Sequence, residues 1–413
     1  MRVIGLDVHR SFAQVAELEN GVLRQRGRVD LVRHKVLAFA QTLRADDEVV
    51  LEATGNTMAI VRLLKPRVGR VVIANPLQVR VIAEAKAKTD RIDAAALARL
   101  HAAGYLPEVW QPDEKTELLR NLVARRAAIV QGMTRTKNRI HAVLHANLIP
   151  PFSGKLFMGP GRKWLAEQPL SDHERAAVDR WLTALDGMET ELAAAEAAIA
   201  SACLGDDRVR RLMTIGGVNM VVAAGILSAI GDVGRFGSSE KLVSYLGLDP
   251  RVRQSGDRAA QHGRISKQGR SHARGMLVEA AWAAAVTPGP LRAFYVRVQG
   301  RKGKQVAAVA TARKIAVLAW HLLTRQEDYA FARPALVAMK ERQIQLKAGA
   351  KSRRGGNRPG AARDYSIKEL REKERALVEQ AERAYTRFVS AWSEQPKPAH
   401  ARASGRGTEA KPG

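Results

Sequence analysis

The fold of this chain is decided between residues 2 and 75, which open with RVIGLDV (2–8), FAQVAEL (12–18) and GVLRQRGRV (21–29). Each run is short, contains apolar and β-branched residues, and is separated from the next by polar or turn residues. Three consecutive strands are therefore predicted. Asn20 and Gly21 supply the tight turn between the second and third strands.

Helices and strands alternate after these runs. The segments are a helix at about 31–44, a strand VVLEA (49–53), a helix TMAIVRLL (57–64), a strand RVVIAN (70–75) and a helical stretch that starts at Pro76. Three strands followed by helix, strand, helix and strand is the element order of an RNase H-like fold. We therefore predict an α/β domain of this class over residues 1–110.

Two long amphipathic helices follow, at about 114–148 and 172–202, because apolar residues recur at spacings of three, four and seven. A Gly/Pro-rich segment, 150–162, separates them. The pattern predicts a helical coiled-coil region over 111–205. It is compatible either with a helical hairpin inside one subunit or with a dimerisation arm.

A mainly helical domain is predicted over 206–335, followed by an extension over 336–413. The extension contains a basic, Gly-rich linker (346–364). A charged helix at about 366–392 precedes a tail expected to be disordered.

The charge of the chain indicates a polyanionic partner. Its formal net charge is +27, from 68 Lys and Arg against 41 Asp and Glu, and nucleic acid is the leading candidate because phosphate contacts release counterions. A membrane surface is the weaker alternative, since no stretch is expected to span a bilayer. The one cysteine excludes an intramolecular disulfide and a Cys-rich zinc site. With no signal peptide at the start, a cytoplasmic, nucleoid-associated protein is expected.

Four acidic residues occur where strands end and a helix begins. Asp7 lies in the first strand (IGLDVH) and Glu52 ends the fourth (LEATGN). Asp90 and Asp93 lie in KTDRIDAAALA and can share a helix face, because they are three residues apart. Carboxylates suit a hard divalent cation, Mg²⁺ or Mn²⁺, and such ions support phosphodiester exchange.

Each acid also has a structural interpretation. Asp90 could be a helix N-cap, and Asp93 could complement the helix dipole. Glu52 could pair with an arginine, and Asp7 could satisfy a turn. Their joint positions on two strands and one helix favour a shared metal site.

The segment 245–274 (YLGLDPRVRQSGDRAAQHGRISKQGRSHAR) places a loop serine, Ser255, among many cations. A serine hydroxyl needs activation to act as a nucleophile, and guanidinium groups hold phosphates well. From the residues alone, an ordinary phosphate-contacting loop in which Ser255 donates one hydrogen bond is favoured, and Ser266 and Ser271 compete for any catalytic role. The cations predicted to bind nucleic acid are Arg251, Arg253, Arg258, Arg264, Lys267, Arg270 and Arg274.

The segment TIGGVNMVVAAGIL (214–227) is similar to a helix-hairpin-helix turn. Gly216 and Gly217 would expose backbone N–H groups that grip a phosphate. Asn219 stands where such a turn has its second glycine, and asparagine tolerates the left-handed conformation. A plain turn between helices is the alternative.

The motifs GLDVH, LEATGN, KTDRIDAAALA, TIGGV, YLGLDPRVRQSG and GRISKQGRSHAR follow one another over about residues 1–330. In this order the chain resembles the transposases of insertion-sequence family 110, whose relatives include the Piv-type DNA invertases. Two features depart from the family pattern. They are the extension beyond about residue 335 and the asparagine at Asn219.

The resemblance implies a RuvC-like domain with a DEDD acid tetrad and a C-terminal transposase domain with a nucleophilic serine, which falls on Ser255. The tetrad is matched by Asp7, Glu52, Asp90 and Asp93. It also implies donor and target DNA, a bridge RNA as guide, and a homo-oligomer, dimer or tetramer, in which acids and serine meet across subunits. Strand exchange would pass through a phosphoserine linkage.

Three functions stay open at this level. The first is an RNA-guided serine recombinase-transposase. The second is a metal-dependent nuclease or resolvase, in which the acids activate water and no covalent intermediate forms. The third is a non-enzymatic nucleic-acid-binding scaffold, whose binding would be indifferent to Mg²⁺ and to the four acids.

Overall fold

A computed structural model describes residues 2–82, 89–255, 260–351 and 365–394 of the chain. The chain divides into two compact units, Met1–Pro112 and Asp113–Gly413. Part of the predicted linker and the C-terminal tail lie outside the described residues.

The first unit contains a five-stranded sheet with the order β3-β2-β1-β4-β5. Strands β1, β2 and β3 are antiparallel neighbours, and β1, β4 and β5 run parallel. The predicted element order is confirmed, and Asn20 and Gly21 both adopt positive φ, 50° and 81°. The elements are β1 (Arg2–Val8), β2 (Phe12–Glu19), β3 (Val22–Asp30), α1 (Arg33–Gln41), β4 (Glu48–Glu52), α2 (Thr57–Leu64), β5 (Arg70–Ala74), α3 (Pro76–Ile82) and α4 (Asp90–Ala102).

Both faces of this sheet are covered, because side chains alternate along each strand. On one face Ile4 and Leu6 of β1 join a core that includes Ile60 of α2. On the opposite face Val3 packs with Leu97 of α4. The unit therefore has three layers, and α4 lies over the face that carries Asp7, where Val79 of α3 also packs.

The second unit is mainly helical, as predicted. It also contains a two-stranded antiparallel ribbon, β6–β7, which was not predicted. The elements are α5 (Glu114–Ala146), α6 (Gly159–Ala166), α7 (Asp172–Cys203), α8 (Asp207–Met213), α9 (Met220–Ile230), α10 (Ser239–Tyr245), β6 (Pro250–Arg253), β7 (Gln261–Ile265), α11 (Ser271–Val286), α12 (Pro290–Lys302), α13 (Lys304–Arg325), α14 (Pro334–Lys347) and α15 (Lys368–Glu394).

Helices α5 and α7 form an antiparallel hairpin within the chain. Asn147, just after α5, donates to Glu174 near the start of α7, at 2.8 Å. At the other end Arg126 donates to Glu196, at 2.9 Å. A Ser171 capping box starts α7, which satisfies two of its free N–H groups.

Helix α13 corrects the expectation that no stretch could span a bilayer. Its 22 residues are long and apolar enough by composition. Half of its apolar window is buried, however, and Ile315 and Ala319 lie in the core of the second unit with residues of α9 and α11. Its apolarity is explained by this burial, which is the ordinary position of a core helix.

Candidate active site

Asp7 is half-buried near the end of β1, on the face covered by α4. Gly5, two residues earlier, allows α4 to approach the sheet closely. A Cβ atom at Gly5 would lie 2.1 Å from the carbonyl oxygen of Ala94, far inside a normal contact. The absence of a side chain at this position therefore sets the distance between Asp7 and the helix.

Glu52 is the last residue of β4, the parallel neighbour of β1. Leu6 pairs with Leu51, so Glu52 comes one residue further along, beside Asp7. Neighbouring residues of parallel strands point to the same face. The sheet register therefore directs both carboxylates toward α4.

Asp90 and Asp93 lie in the first turn of α4. The N-cap is Thr89, whose side chain accepts a hydrogen bond from the Ile92 backbone N–H. The structural interpretation of Asp90 as the N-cap is therefore wrong, and its carboxylate is available for another purpose. A negative charge here is favoured by the helix dipole.

His9 joins these acids, although sequence analysis did not select it. Its Nε2 lies 3.0 Å from Asp7 Oδ2 and 3.5 Å from Asp90 Oδ2. Ligand atoms of Asp7, His9 and Asp90 all lie within 4.8 Å of one another. The motif GLDVH contained the signal, since His9 follows Asp7 by two residues, just past the end of β1, and alternate residues of an extended chain share a face.

Burial raises the pKa of Asp7, and the charges of Asp93 and Asp90 raise it further, while His9 opposes them. Repulsion among carboxylates is the expected cost of an acid cluster that holds no cation. A divalent cation relieves that repulsion. The oxygen-rich donor set fits Mg²⁺ or Mn²⁺, and the imidazole nitrogen adds a ligand that Mn²⁺ accepts more readily.

Ser255 lies two residues beyond β6, on the connection to β7, and is exposed. Exposed cationic side chains lie before and after Ser255 in the sequence, on the ribbon and just beyond β7. They are Arg251, Arg253, Arg264, Lys267 and Arg270. Arg258 and Gly256 lie outside the described residues. The ribbon therefore presents a hydroxyl and several phosphate-binding groups to solvent.

The base of this ribbon is closely packed. Ser266 donates to the Asp249 carboxylate at 2.7 Å, and its own N–H donates to the Asp249 carbonyl at 2.8 Å. Gly247 has a φ of 67°, and a Cβ there would lie 2.2 Å from the Gln268 carbonyl oxygen. Ser266 therefore has a structural role that Ser255 does not share.

The turn between α8 and α9 differs from the predicted phosphate grip. Asn219 has a φ of −105° and caps α9 by accepting from the Val222 N–H, so it does not use the left-handed conformation that asparagine tolerates. Gly217 takes the positive φ instead, 88°, and a Cβ there would lie 2.3 Å from the Ala280 carbonyl oxygen. The close approach at this turn is therefore that of Gly217 to α11, which gives this glycine a packing reason. Gly216 is half-buried.

Sequence models of two protein families match the chain. A transposase family named DEDD_Tnp_IS110 matches residues 4–148, which include the four acids. The family "Transposase IS116/IS110/IS902" matches residues 209–296, which include Ser255.

Several transposases and a gene-inverting protein are similar to this chain over most of their own length. A putative transposase of Sinorhizobium fredii is 29% identical, over 78% of this chain and 79% of that protein. The transposase for insertion sequence element IS1111A of Coxiella burnetii is 24% identical, over 80% and 91%. The pilin gene-inverting protein of Moraxella bovis is 25% identical, over 63% and 74%.

An acid-bearing α/β unit and a helical unit that both match transposase families define a DNA transposase, an enzyme that cuts and rejoins DNA. The chain belongs to the IS110 family of insertion-sequence transposases.

Proposed function

We propose that this transposase is a site-specific recombinase with two separate sets of reactive groups. Asp7, Glu52, Asp90 and Asp93 hold Mg²⁺ or Mn²⁺, and Ser255 is the nucleophile. The observation that most directly supports the metal site is that ligand atoms of Asp7, Asp90 and His9 all lie within 4.8 Å of one another. The sheet order supports assignment of the first unit to the RNase H-like, RuvC-like class.

When bound, the cation supplies Lewis-acid stabilisation of charge on the phosphate oxygens. The carboxylates fix its position, because β1, β4 and α4 form a packed scaffold. The Ser255 hydroxyl oxygen attacks the scissile phosphorus, forms a phosphate ester and displaces one strand oxygen, which leaves with a proton. A hydroxyl of the exchanged strand then attacks the same phosphorus and releases the serine.

Donor and target DNA are the substrates, and a bridge RNA is the guide. The net charge of +27 and the cations of the ribbon support nucleic-acid partners, because such groups neutralise phosphates. RNA guidance rests on the family resemblance alone. Sequencing of the nucleic acid that co-purifies with the protein tests it: a discrete RNA from beside the gene is expected, and DNA alone would contradict it.

A homo-oligomer acting on nucleoid DNA in the cytoplasm completes the proposal. Its subunits would bring the serine of one copy to the acids of another. The arm formed by α5 and α7 is the proposed coiled-coil region. We propose that the chain after the RuvC-like domain (1–110) divides into this region (111–205), the transposase domain (206–335) and the extension (336–413).

The nucleophile is tested by capture of protein–DNA adducts. The full chain is incubated with Mn²⁺ and DNA from the ends of its element, then denatured. A covalent adduct is expected for the unmodified chain and for Ser271→Ala, and none for Ser255→Ala. An equal adduct yield from Ser255→Ala would overturn the assignment of Ser255.

A metal-dependent nuclease without a covalent intermediate is the second candidate. It is favoured by one observation, namely that the acid cluster lies within the first unit alone. The same assay separates the two proposals. Free cleaved ends with no adduct, lost in Asp7→Asn but retained in Ser255→Ala, would support the nuclease.

A further inference from the structure

An arginine beside the acid cluster is placed there by a β-bulge. Strand β3 pairs with β2 in a register that shifts opposite Val15 and Ala16: Gln25 faces Ala16, but Gly27 faces Val15. One extra residue in a strand reverses the faces of the residues that follow it. The bulge therefore determines the face of the sheet on which the arginines that follow it in β3 lie.

The two arginines that flank the bulge face opposite sides of the sheet. Arg24 pairs with Glu17, whose partner on β1 is Ile4, on the face away from α4. Arg28 lies opposite Gln14, which pairs with Asp7. Arg28 thus shares the face of the acid cluster, and Arg24 does not.

Contacts hold Arg28 at the rim of this cluster. Its guanidinium carbon lies 4.3 Å from the centre of the Phe12 ring, and Phe12 stacks on His9 with centres 4.6 Å apart. Its Nη2 lies 3.8 Å from Asp90 Oδ2. A cation over an aromatic face is oriented without being buried.

A salt bridge to Asp90 does not by itself account for this arrangement. The Arg28 side chain is 62% exposed and that of Asp90 is 40% exposed, and pairs of this kind contribute little to stability. The Arg28 side chain is therefore largely accessible to a ligand from solvent. Its position is suitable for binding an anion next to the carboxylates.

We propose that Arg28 is a further catalytic residue that binds the scissile phosphate beside the metal-binding acids. Two of its N–H groups would donate to non-bridging phosphate oxygens, a geometry that guanidinium favours. The inference rests on the proposed role of the acid cluster. It adds a residue that neither the DEDD tetrad nor the serine ribbon includes.

The proposal makes two opposite predictions for Arg28→Ala. Cation affinity rises, because a positive charge that competes for Asp90 is removed; we expect Mn²⁺ to bind about twofold to fivefold more tightly. DNA cleavage at saturating Mn²⁺ falls about 10-fold to 100-fold, because a charge-assisted contact to phosphate is lost. A merely structural arginine would give weaker Mn²⁺ binding instead, since its loss would loosen the cluster.

The experiment compares the full-length chain with Arg28→Ala, Arg28→Lys and Arg24→Ala. Arg24→Ala is the matched control, because it removes the same charge from the same strand but from the opposite face. Calorimetric titration with Mn²⁺ in the absence of DNA gives the affinity. Cleavage of DNA from the ends of the element gives the rate, and Arg28→Lys is expected to restore it only in part.

Tighter Mn²⁺ binding with slower cleavage in Arg28→Ala alone supports the proposal. Cleavage by Arg28→Ala at the rate of Arg24→Ala would overturn it, as would weaker Mn²⁺ binding. Either result would overturn the role of Arg28 and would leave the proposed function of the acid cluster standing. Absence of Mn²⁺ binding by the unmodified chain would instead overturn the proposed function itself.

Discussion

The acid cluster and the serine ribbon differ in how they present their reactive groups. The Asp7 side chain is 15% exposed and lies on a sheet against which α4 is tightly packed. Ser255 is exposed beyond the end of a two-stranded ribbon. The difference indicates that the carboxylates are positioned before substrate arrives, which avoids reorganisation at the moment of reaction, whereas the hydroxyl is displayed for DNA to reach.

Both regions nevertheless depend on close backbone approaches at glycine. Gly5 serves the acid cluster, and Gly247 serves the base of the ribbon. Substitution of either should therefore damage one region and spare the other. The independence of the two regions can therefore be tested by a substitution in each.

The largest effect is expected from Gly5→Val. The new side chain collides with the backbone of α4, so we expect loss of Mn²⁺ binding and a fall of about 3 kcal/mol in the free energy of unfolding. Chemical denaturation and Mn²⁺ titration measure these. Gly55→Ala is the control, because nothing lies within 4 Å of a Cβ there. Full Mn²⁺ binding by Gly5→Val would contradict the role given to α4.

Gly247→Ala should damage the ribbon alone. Its φ of 67° and its contact with Gln268 are unfavourable for alanine, at a cost of about 2 kcal/mol. Displacement of the ribbon should lower adduct formation about 100-fold, whereas Mn²⁺ affinity stays unchanged. If Mn²⁺ binding fell as much as adduct formation, the two regions would not be independent.

Lys340 makes the stability of the second unit depend on pH. Its ammonium donates to the carbonyls of Met213 and Val218 at 2.7 and 2.8 Å, and burial lowers its pKa to about 8. The unfolded chain therefore binds more protons than the folded one between pH 8 and the ordinary lysine value of 10.5. Stability from this group thus rises with pH in that window.

The unmodified chain should gain about 2 kcal/mol relative to Lys340→Met between pH 8 and 10. Parallel denaturation series of the two proteins measure the difference, and other titrating groups cancel in it. Mn²⁺ affinity at a fixed pH serves as the control and should be equal in both proteins. A constant difference across this range would show that Lys340 is not protonated differently in the folded state.

The smallest effect is expected from Ser266→Ala. Loss of the hydrogen bond to Asp249 should lower the free energy of unfolding by about 1 kcal/mol. Adducts should still form, in contrast to Ser255→Ala. Adduct formation that disappears in Ser266→Ala without further loss of stability would move the nucleophile to that serine.

Much of the first unit could be predicted from the sequence, because its strands are apolar runs separated by turn residues. Strands β6 and β7 were missed, since PRVR and QHGRI are short and mostly polar and show no regular alternation of apolar residues. The N-cap role of Asn219 could not be distinguished from a left-handed turn position, because both positions favour the same amino acids.

The acid cluster was only partly predictable. Its acids stand in recognisable motifs, but Arg28 reaches them through a β-bulge, and a bulge is a property of the pairing register. A shift of one residue in register reverses every later side chain. Composition and spacing within β3 alone therefore give no reason to prefer Arg28 over Arg24.

Anomalous diffraction from crystals grown with Mn²⁺ would show directly whether one ion draws the four carboxylates together. We expect a peak bounded by oxygens of Asp7, Glu52, Asp90 and Asp93, and its loss in Asp7→Asn crystals. A peak at another place, or an unchanged peak in Asp7→Asn, would contradict the account.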